Sequence, residues 1–169
     1  MGSFICLSND EHKICPLSWK SKIIDKVAPD IKSAETLALE AAIDESIYLA
    51  SMISEVYSQG KYKIPIIVNE DSRGLVDSLY STKKVKRKTM RIVISCLQQY
   101  LKQGIIKEVN HVSSENQLSD ILTKKGVNSS KIIYAVSEGT ITDQIQKSEG
   151  EKYDTSTFER NEENKVEEI

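Results

Sequence analysis

Apolar and polar positions alternate along this chain in segments that change period several times. Phe4-Ile5-Cys6-Leu7 is a short apolar run, Ser8-Asn9-Asp10-Glu11 a turn-forming cluster, and Ile14 to Trp19 a second run, which together predict a β-hairpin. Pro29 breaks the chain, and Ser33 opens a long helix. Its apolar stripe is Ala34, Leu37, Ala38, Ala41, Ile47, Tyr48, Met52 and Val56, ending near Gly60. Ile64 to Val68 is short, continuously apolar and β-branched, the pattern of a strand buried on both faces. Leu75, Val76 and Leu79 return to helical spacing. Ile92 to Gln103 predicts a further helix with Ile92, Ile94, Leu97, Tyr100 and Leu101 inward, stopped by Gly104. Ile105, Ile106, Val109 and Val112 predict the last strand. Ser114 with Gln117 reads as a capping box, and Leu118, Ile121 and Leu122 predict the helix that follows it. Ser129 to Val136 predicts one more short helix, on Ile132, Ile133 and Val136.

The order β-β-α-β-α-α-β-α predicts an α/β fold, a mixed sheet covered by helices. The expected division is a domain over 1–137 and an acidic, disordered tail over 138–169, where the apolar pattern fades. With 169 residues, 39% hydrophobic and 28% charged, the chain has material for one core. The net charge of −2 hides a basic middle and an acidic end, so net charge excludes no partner class. No apolar run is long enough for a membrane span, and Met1 to Leu7 is too short for a secretory h-region. Three cysteines, Cys6, Cys15 and Cys96, fit a reduced, intracellular protein. Cys6 and Cys15 flank the hairpin and read as small buried apolar residues. With only His12 and His111 beside them, there is no zinc-ligand spacing.

Three carboxylates sit where elements start or end. Glu35 lies in the first turn of the long helix, Asp71 just past the buried strand, and Asp120 among the apolar positions of the late helix. Singly, each has an ordinary reading: a helix-dipole partner, a turn or N-cap residue, a half-exposed surface acid. Packed against one sheet, the three can converge at one end of it, beyond the carboxyl ends of the strands where α/β folds bind ligands. Clustered carboxylates either raise a pKa or bind a divalent cation. Hard oxygen ligands suit Mg²⁺, and two such ions about 3.5–4 Å apart can drive in-line hydrolysis of a phosphodiester.

The segments Ser33-Ala34-Glu35-Thr36-Leu37-Ala38-Leu39, Asp71-Ser72 before Leu75-Val76-Asp77-Ser78-Leu79, and Gln117-Leu118-Ser119-Asp120-Ile121-Leu122-Thr123-Lys124 are specific in combination. With Cys15-Pro16-Leu17-Ser18-Trp19-Lys20-Ser21-Lys22 ahead of them, they resemble the ribonuclease H domain at the end of copia-type retrotransposon Pol polyproteins, from about Phe4 to Val136. The resemblance implies a ribonuclease H-like fold and two-metal Mg²⁺ cleavage of the RNA strand of an RNA–DNA hybrid. It also implies the reverse transcriptase portion of the same polyprotein as a partner. Carried over by position, it makes Glu35, Asp71 and Asp120 catalytic, metal-ligating residues.

The sequence departs from that pattern. The family's first, central strand, with its catalytic Asp, has no counterpart here, and Asp10 reads as a hairpin-turn residue. Ser72 and Gly74 stand where members usually have Asn and Ser, and Asn69-Glu70 before Asp71 is unusual. The resemblance therefore implies impaired catalysis. It also leaves Phe4–Leu7 and Ile64–Val68 without their shared neighbour, so the expected sheet has four strands. Either those two strands pair directly and antiparallel, or the hairpin edge is loose.

Lys83, Lys84, Lys86, Arg87, Lys88 and Arg91 form a basic run able to neutralise phosphates of an RNA–DNA hybrid or other nucleic acid, or else a solvated loop. Tyr80, Tyr100 and Trp19 read as core or strand-face residues. Three functions stay open: an impaired ribonuclease H-like hydrolase, a non-catalytic nucleic-acid-binding remnant, and an α/β protein-interaction module.

Overall fold

In the computed structural model, residues 1–141 are described, apart from 12, 83, 84, 86 and 127. Beyond Ile141, the segment expected to be an acidic tail lies outside the described residues, as do His12, Lys83, Lys84 and Lys86.

Strands β1 (Gly2–Ser8) and β2 (Ile14–Ser21) form the predicted antiparallel hairpin, with Phe4 opposite Trp19 and a register shift between Ile5 and Cys6. Asn9 supplies the turn: its Oδ1 accepts from the backbone N–H groups of Glu11 and Lys13 at 3.1 and 3.0 Å. A turn in which a side chain replaces a backbone acceptor is what Asn contributes at such positions. Trp19 is exposed, not core, and so is Cys15. Cys6 is half-buried, and burial pushes its thiol up to about 11, helped by Cys15 across the hairpin.

Helix α1 (Ile31–Ser58) starts two residues earlier than expected, because Asp30 rather than Ser33 is the N-cap: its carboxylate accepts from the Ser33 N–H at 2.7 Å. Glu35 consequently sits beyond the first turn. The helix ends where Gln59 adopts a left-handed backbone and donates to the Glu55 carbonyl. Its buried residues are Ser33, Thr36, Leu37, Leu39 and Ile43, all in its first half. Tyr48, Met52 and Val56, expected in the buried stripe, are exposed.

Strand β3 (Ile66–Glu70) pairs in parallel with β4 (Ile106–His111), Ile66 against Ile106 and Glu70 against His111. Parallel partners need a crossover, supplied by α2 (Arg73–Tyr80) and α3 (Lys88–Lys102). β3 is not buried on both faces as its composition predicted: Ile66 is buried, Val68 and Glu70 half-buried, Ile67 and Asn69 exposed. On α3 the inward residues are Val93, Ile94 and Leu97, and Ile92 faces solvent. Tyr80 reaches β4, where its hydroxyl accepts from the Val109 N–H at 2.9 Å. The short helix α4 (Ser130–Glu138) buries Ala135, while Ile133 and Val136 remain exposed.

The expected four-stranded sheet is not formed. The described strands make two two-stranded sheets, and β1 does not pair with β3. Both sheets lie against α1, and neither gains a third strand among the described residues, although an isolated bridge joins Lys13 to Thr140. The main core joins α1, α2, α3 and β4 through Leu37, Ile43, Leu75, Leu79, Leu97 and Ile106, with half-buried Val68 of β3 packed against it. Burying each such side chain contributes about 1.5–3 kcal/mol. A smaller cluster, Ile14, Leu118 and Ala135 with Phe4, Cys6 and Ile141 against it, holds the hairpin to the C-terminal elements. The molecule is thus a mixed α/β protein with two small sheets.

Candidate functional site

The carboxyl end of β3 carries Glu70, Asp71 and Ser72 in succession. Ser72 is the N-cap residue of α2, and its side chain makes no capping hydrogen bond to that helix. Its Oγ donates instead to Glu35 Oε2 at 2.6 Å, across from α1. Its backbone N–H donates to Glu70 Oε1 at 3.2 Å. One residue therefore joins two carboxylates.

Asp71 accepts from Ser114 Oγ at 3.0 Å. This displaces the capping role expected of Ser114. The segment after β4 does not form the expected helix, but two 3₁₀ turns, Ser114–Asn116 and Leu118–Leu122, whose N-cap residues make no side-chain cap bond. Gln117 instead donates to the Asn69 carbonyl at 3.2 Å, which with the Val112 N–H on the Glu70 carbonyl ties these turns to the end of β3. Asp120 is half-buried and paired with Lys124 four residues on. The hydrogen bond that Lys124 donates to Asp120 raises the Lys124 pKa, and the Asp71 and Glu35 charges add to that rise. Lys124 thus lies in the field of all three carboxylates predicted from the sequence.

Glu70 is the member that the carboxylate pattern passes over. Burial pushes its carboxyl up to about 7, against the Ser72 hydrogen bond, and the neighbouring Asp71 and Glu35 charges push the same way. Like charges crowded in a poorly solvated place leave one carboxyl holding a proton near neutrality.

The sequence-predicted residues Glu35, Asp71 and Asp120 are thus brought into one acidic region by α1, the end of β3 and the second 3₁₀ turn. Their oxygens are engaged by the protein's own donors: Ser72, Ser114 and Lys124. Among the described residues, no group of three or more His, Cys, Asp or Glu side chains is placed to hold a metal ion. A cation cage needs several oxygens converging on one point, and these carboxylates, as arranged, point to separate partners.

Of the basic run, Arg87, Lys88 and Arg91 are described. Arg87 is committed internally: its Nη1 lies 2.8 Å from Asp30 Oδ2 and donates to Ser33 Oγ at 3.1 Å, bracing the start of α1. Lys88 and Arg91 are exposed in the first turn of α3, and Arg91 Nε donates to the Val85 carbonyl. No described helix is long and apolar enough to cross a membrane.

No family model matches this sequence, and neither the curated proteins nor the solved structures contain a match to it.

Proposed function

We propose that this chain is a ribonuclease H-like domain of copia-type retrotransposon descent that contacts a nucleic-acid backbone but does not cleave it. The observation that carries the reading is the meeting of three motif segments far apart in sequence, through Ser72 with Glu35 and, beside Asp71, Gln117 with the Asn69 carbonyl. The resemblance predicts that encounter for Glu35, Asp71 and Asp120, and no ordinary surface acid requires it. In support of the loss of cleavage, Ser72, Ser114 and Lys124 engage carboxylate oxygens that two-metal hydrolysis by Mg²⁺ needs open to a shared pair of ions. Backbone contact is assigned to Lys88 and Arg91, whose charges add to the positive end of α3, with Lys83, Lys84 and Lys86 beside them in the sequence.

The test is a labelled RNA–DNA hybrid incubated with the protein and Mg²⁺, with binding followed by anisotropy over a salt series. The expected result is binding without cleavage, with affinity falling as salt rises. Replacing Lys88 and Arg91 by Ala is expected to reduce the logarithmic salt slope by about one for each phosphate no longer neutralised. Mg²⁺-dependent cleavage that disappears in Asp71→Asn would refute the loss of catalysis. An absence of any hybrid binding would remove the nucleic-acid reading and leave an α/β protein-interaction module.

A further inference from the structure

Helix α1 outruns its neighbour. Arg87, at the start of α3, meets Asp30 and Ser33, and Tyr100, near the end of α3, lies within electrostatic reach of Glu40 and Asp44. Residues 30–44 of α1 therefore lie beside α3, and the rest of the helix, 45–58, runs on past it for about 21 Å. No residue of that half is buried, yet its outer side is not polar. Tyr48, Met52 and Val56 recur every four residues and are 63%, 47% and 76% exposed. Residues four apart on a helix lie one above the other, so these three form a continuous apolar row. Contiguous apolar surface of this kind marks an interaction face more often than scattered single residues do.

The row has an acidic end and a basic end. Exposed Asp44 stands one turn before Tyr48. Glu55, seven residues after Tyr48, lies two turns along on the same side. The chain leaves the helix on that side too: a Cβ on Gly60 would lie 3.1 Å from Glu55 Oε2, and exposed Lys61 follows. Asp44, Glu55 and Lys61 form no ion pair with any described residue, and the Tyr48 hydroxyl has no described hydrogen bond. Met52 is the midpoint, with Asp44 eight residues before it and Gly60 eight after, about 12 Å each way.

We propose that this half of α1 pairs with the same half of a second copy of the chain, antiparallel about a two-fold axis at Met52. Met52 then faces the partner's Met52, Tyr48 lies on the partner's Val56, and Asp44 meets the partner's Lys61, each unlike contact being made twice. The Tyr48 hydroxyl comes beside the partner's Glu55 and donates to it. A parallel pairing would instead set Asp44 on Asp44 and Glu55 on Glu55, and like charges disfavour it. The antiparallel overlap stops at Asp44, next to Ile43, the last buried residue of α1, so each tip ends where the other body begins. Two helices meeting over about four turns bury less than the about 1,600 Å² of a standard stable complex, which makes the dimer a weak one. The contact uses neither the acidic region nor Lys88 and Arg91, and it stands apart from the nucleic-acid reading.

Sedimentation equilibrium on the full chain, over a concentration series reaching about 1 mM, tests this. The wild type is expected to show a reversible monomer–dimer equilibrium. Met52→Glu sets two carboxylates against each other on the axis and is expected to weaken association at least about tenfold. Asp44→Lys turns two attractive pairs repulsive and is expected to weaken it about threefold to tenfold. Asp44→Lys combined with Lys61→Asp exchanges the signs and is expected to restore wild-type affinity. Tyr57, nine residues after Tyr48 and so half a turn round the helix, is 84% exposed, and Tyr57→Ser is expected to leave the dimer unchanged. Circular dichroism checks that each variant is folded. A wild type that stays monomeric over the whole series, association that survives Met52→Glu, loss of the dimer in Tyr57→Ser, or no recovery in the double variant would each overturn the proposal.

Discussion

Glu70 is the residue on which the acidic site turns. Its neighbours are two further carboxylates, and its only described hydrogen-bond donor outside that group is the Ser72 N–H. Burial and the charges of Asp71 and Glu35 raise its pKa from 4.5 to about 7. The folded state thus binds a proton that the unfolded chain has already released across that interval. Stability is accordingly greatest below pH 4.5, as far as this group is concerned, and is lost as pH rises through 7. The full effect is on the order of 3 kcal/mol. Urea denaturation from pH 5 to 8 should give a midpoint that falls with pH, and Glu70→Gln, which keeps the shape without the charge, should flatten that dependence. An unchanged slope in the variant would place the proton elsewhere. The sequence does carry a signal for this residue. Side chains alternate along a strand, and Ile66, Val68 and Glu70 fall on one face of β3, so an inward carboxylate at the strand end follows from the period. Asp71, one position on, masks that signal by matching a known motif better.

At the scale of the elements, the hairpin, the helix over Leu75 to Leu79 and the last strand are legible in the sequence, because in each the apolar period and the turn residues agree. Where the pattern misleads, the reasons are geometric. Tyr48, Met52 and Val56 continue a true 3.6-residue stripe, but a helix of 28 residues is about 42 Å long, and a typical strand of five or six residues spans about 17–20 Å. The body ends before the stripe does. The segment Leu118–Leu122 has helical spacing but only five residues, too few to carry the cost of nucleating an α-helix, so it settles as a 3₁₀ turn seated on β1. That seat depends on Gly2. A Cβ there would lie 2.6 Å from the Ser119 carbonyl oxygen and 2.9 Å from the Thr123 methyl, and a backbone atom cannot be moved cheaply. Gly2→Ala is expected to cost about 1–3 kcal/mol, as overpacking does, and to lift the turn that carries Asp120 and Lys124. Chemical denaturation gives the first quantity. NMR titration of the Lys124 ammonium gives the second, as a pKa closer to the ordinary lysine value. A variant of wild-type stability with an unmoved Lys124 would show that the turn is not held there.

For the whole molecule, the division into two sheets and two apolar clusters sets how cooperatively it unfolds. The larger cluster takes in α1, α2, α3 and β4, with Val68 of β3 against it and Leu75, Val76 and Leu79 fully enclosed. The hairpin meets α4 and the 3₁₀ turn through a cluster with only three buried members, Ile14, Leu118 and Ala135. Its described polar ties to α1 are partly exposed, Ser18 and Lys20 with Glu45, and surface pairs of that kind contribute little. An isolated two-stranded hairpin is at best marginal in water, so the small cluster decides whether β1 and β2 stay folded. Ala135→Asp places a carboxylate at a position that is 1% exposed, at a cost on the order of 3 kcal/mol. Hydrogen exchange should then show amides of Gly2–Ser8 and Ile14–Ser21 losing protection while those around Val93 to Leu97 retain theirs, since local openings follow contiguous packing units. Uniform loss across both clusters would mean that α1 couples them into one unit even though β1 and β3 do not pair.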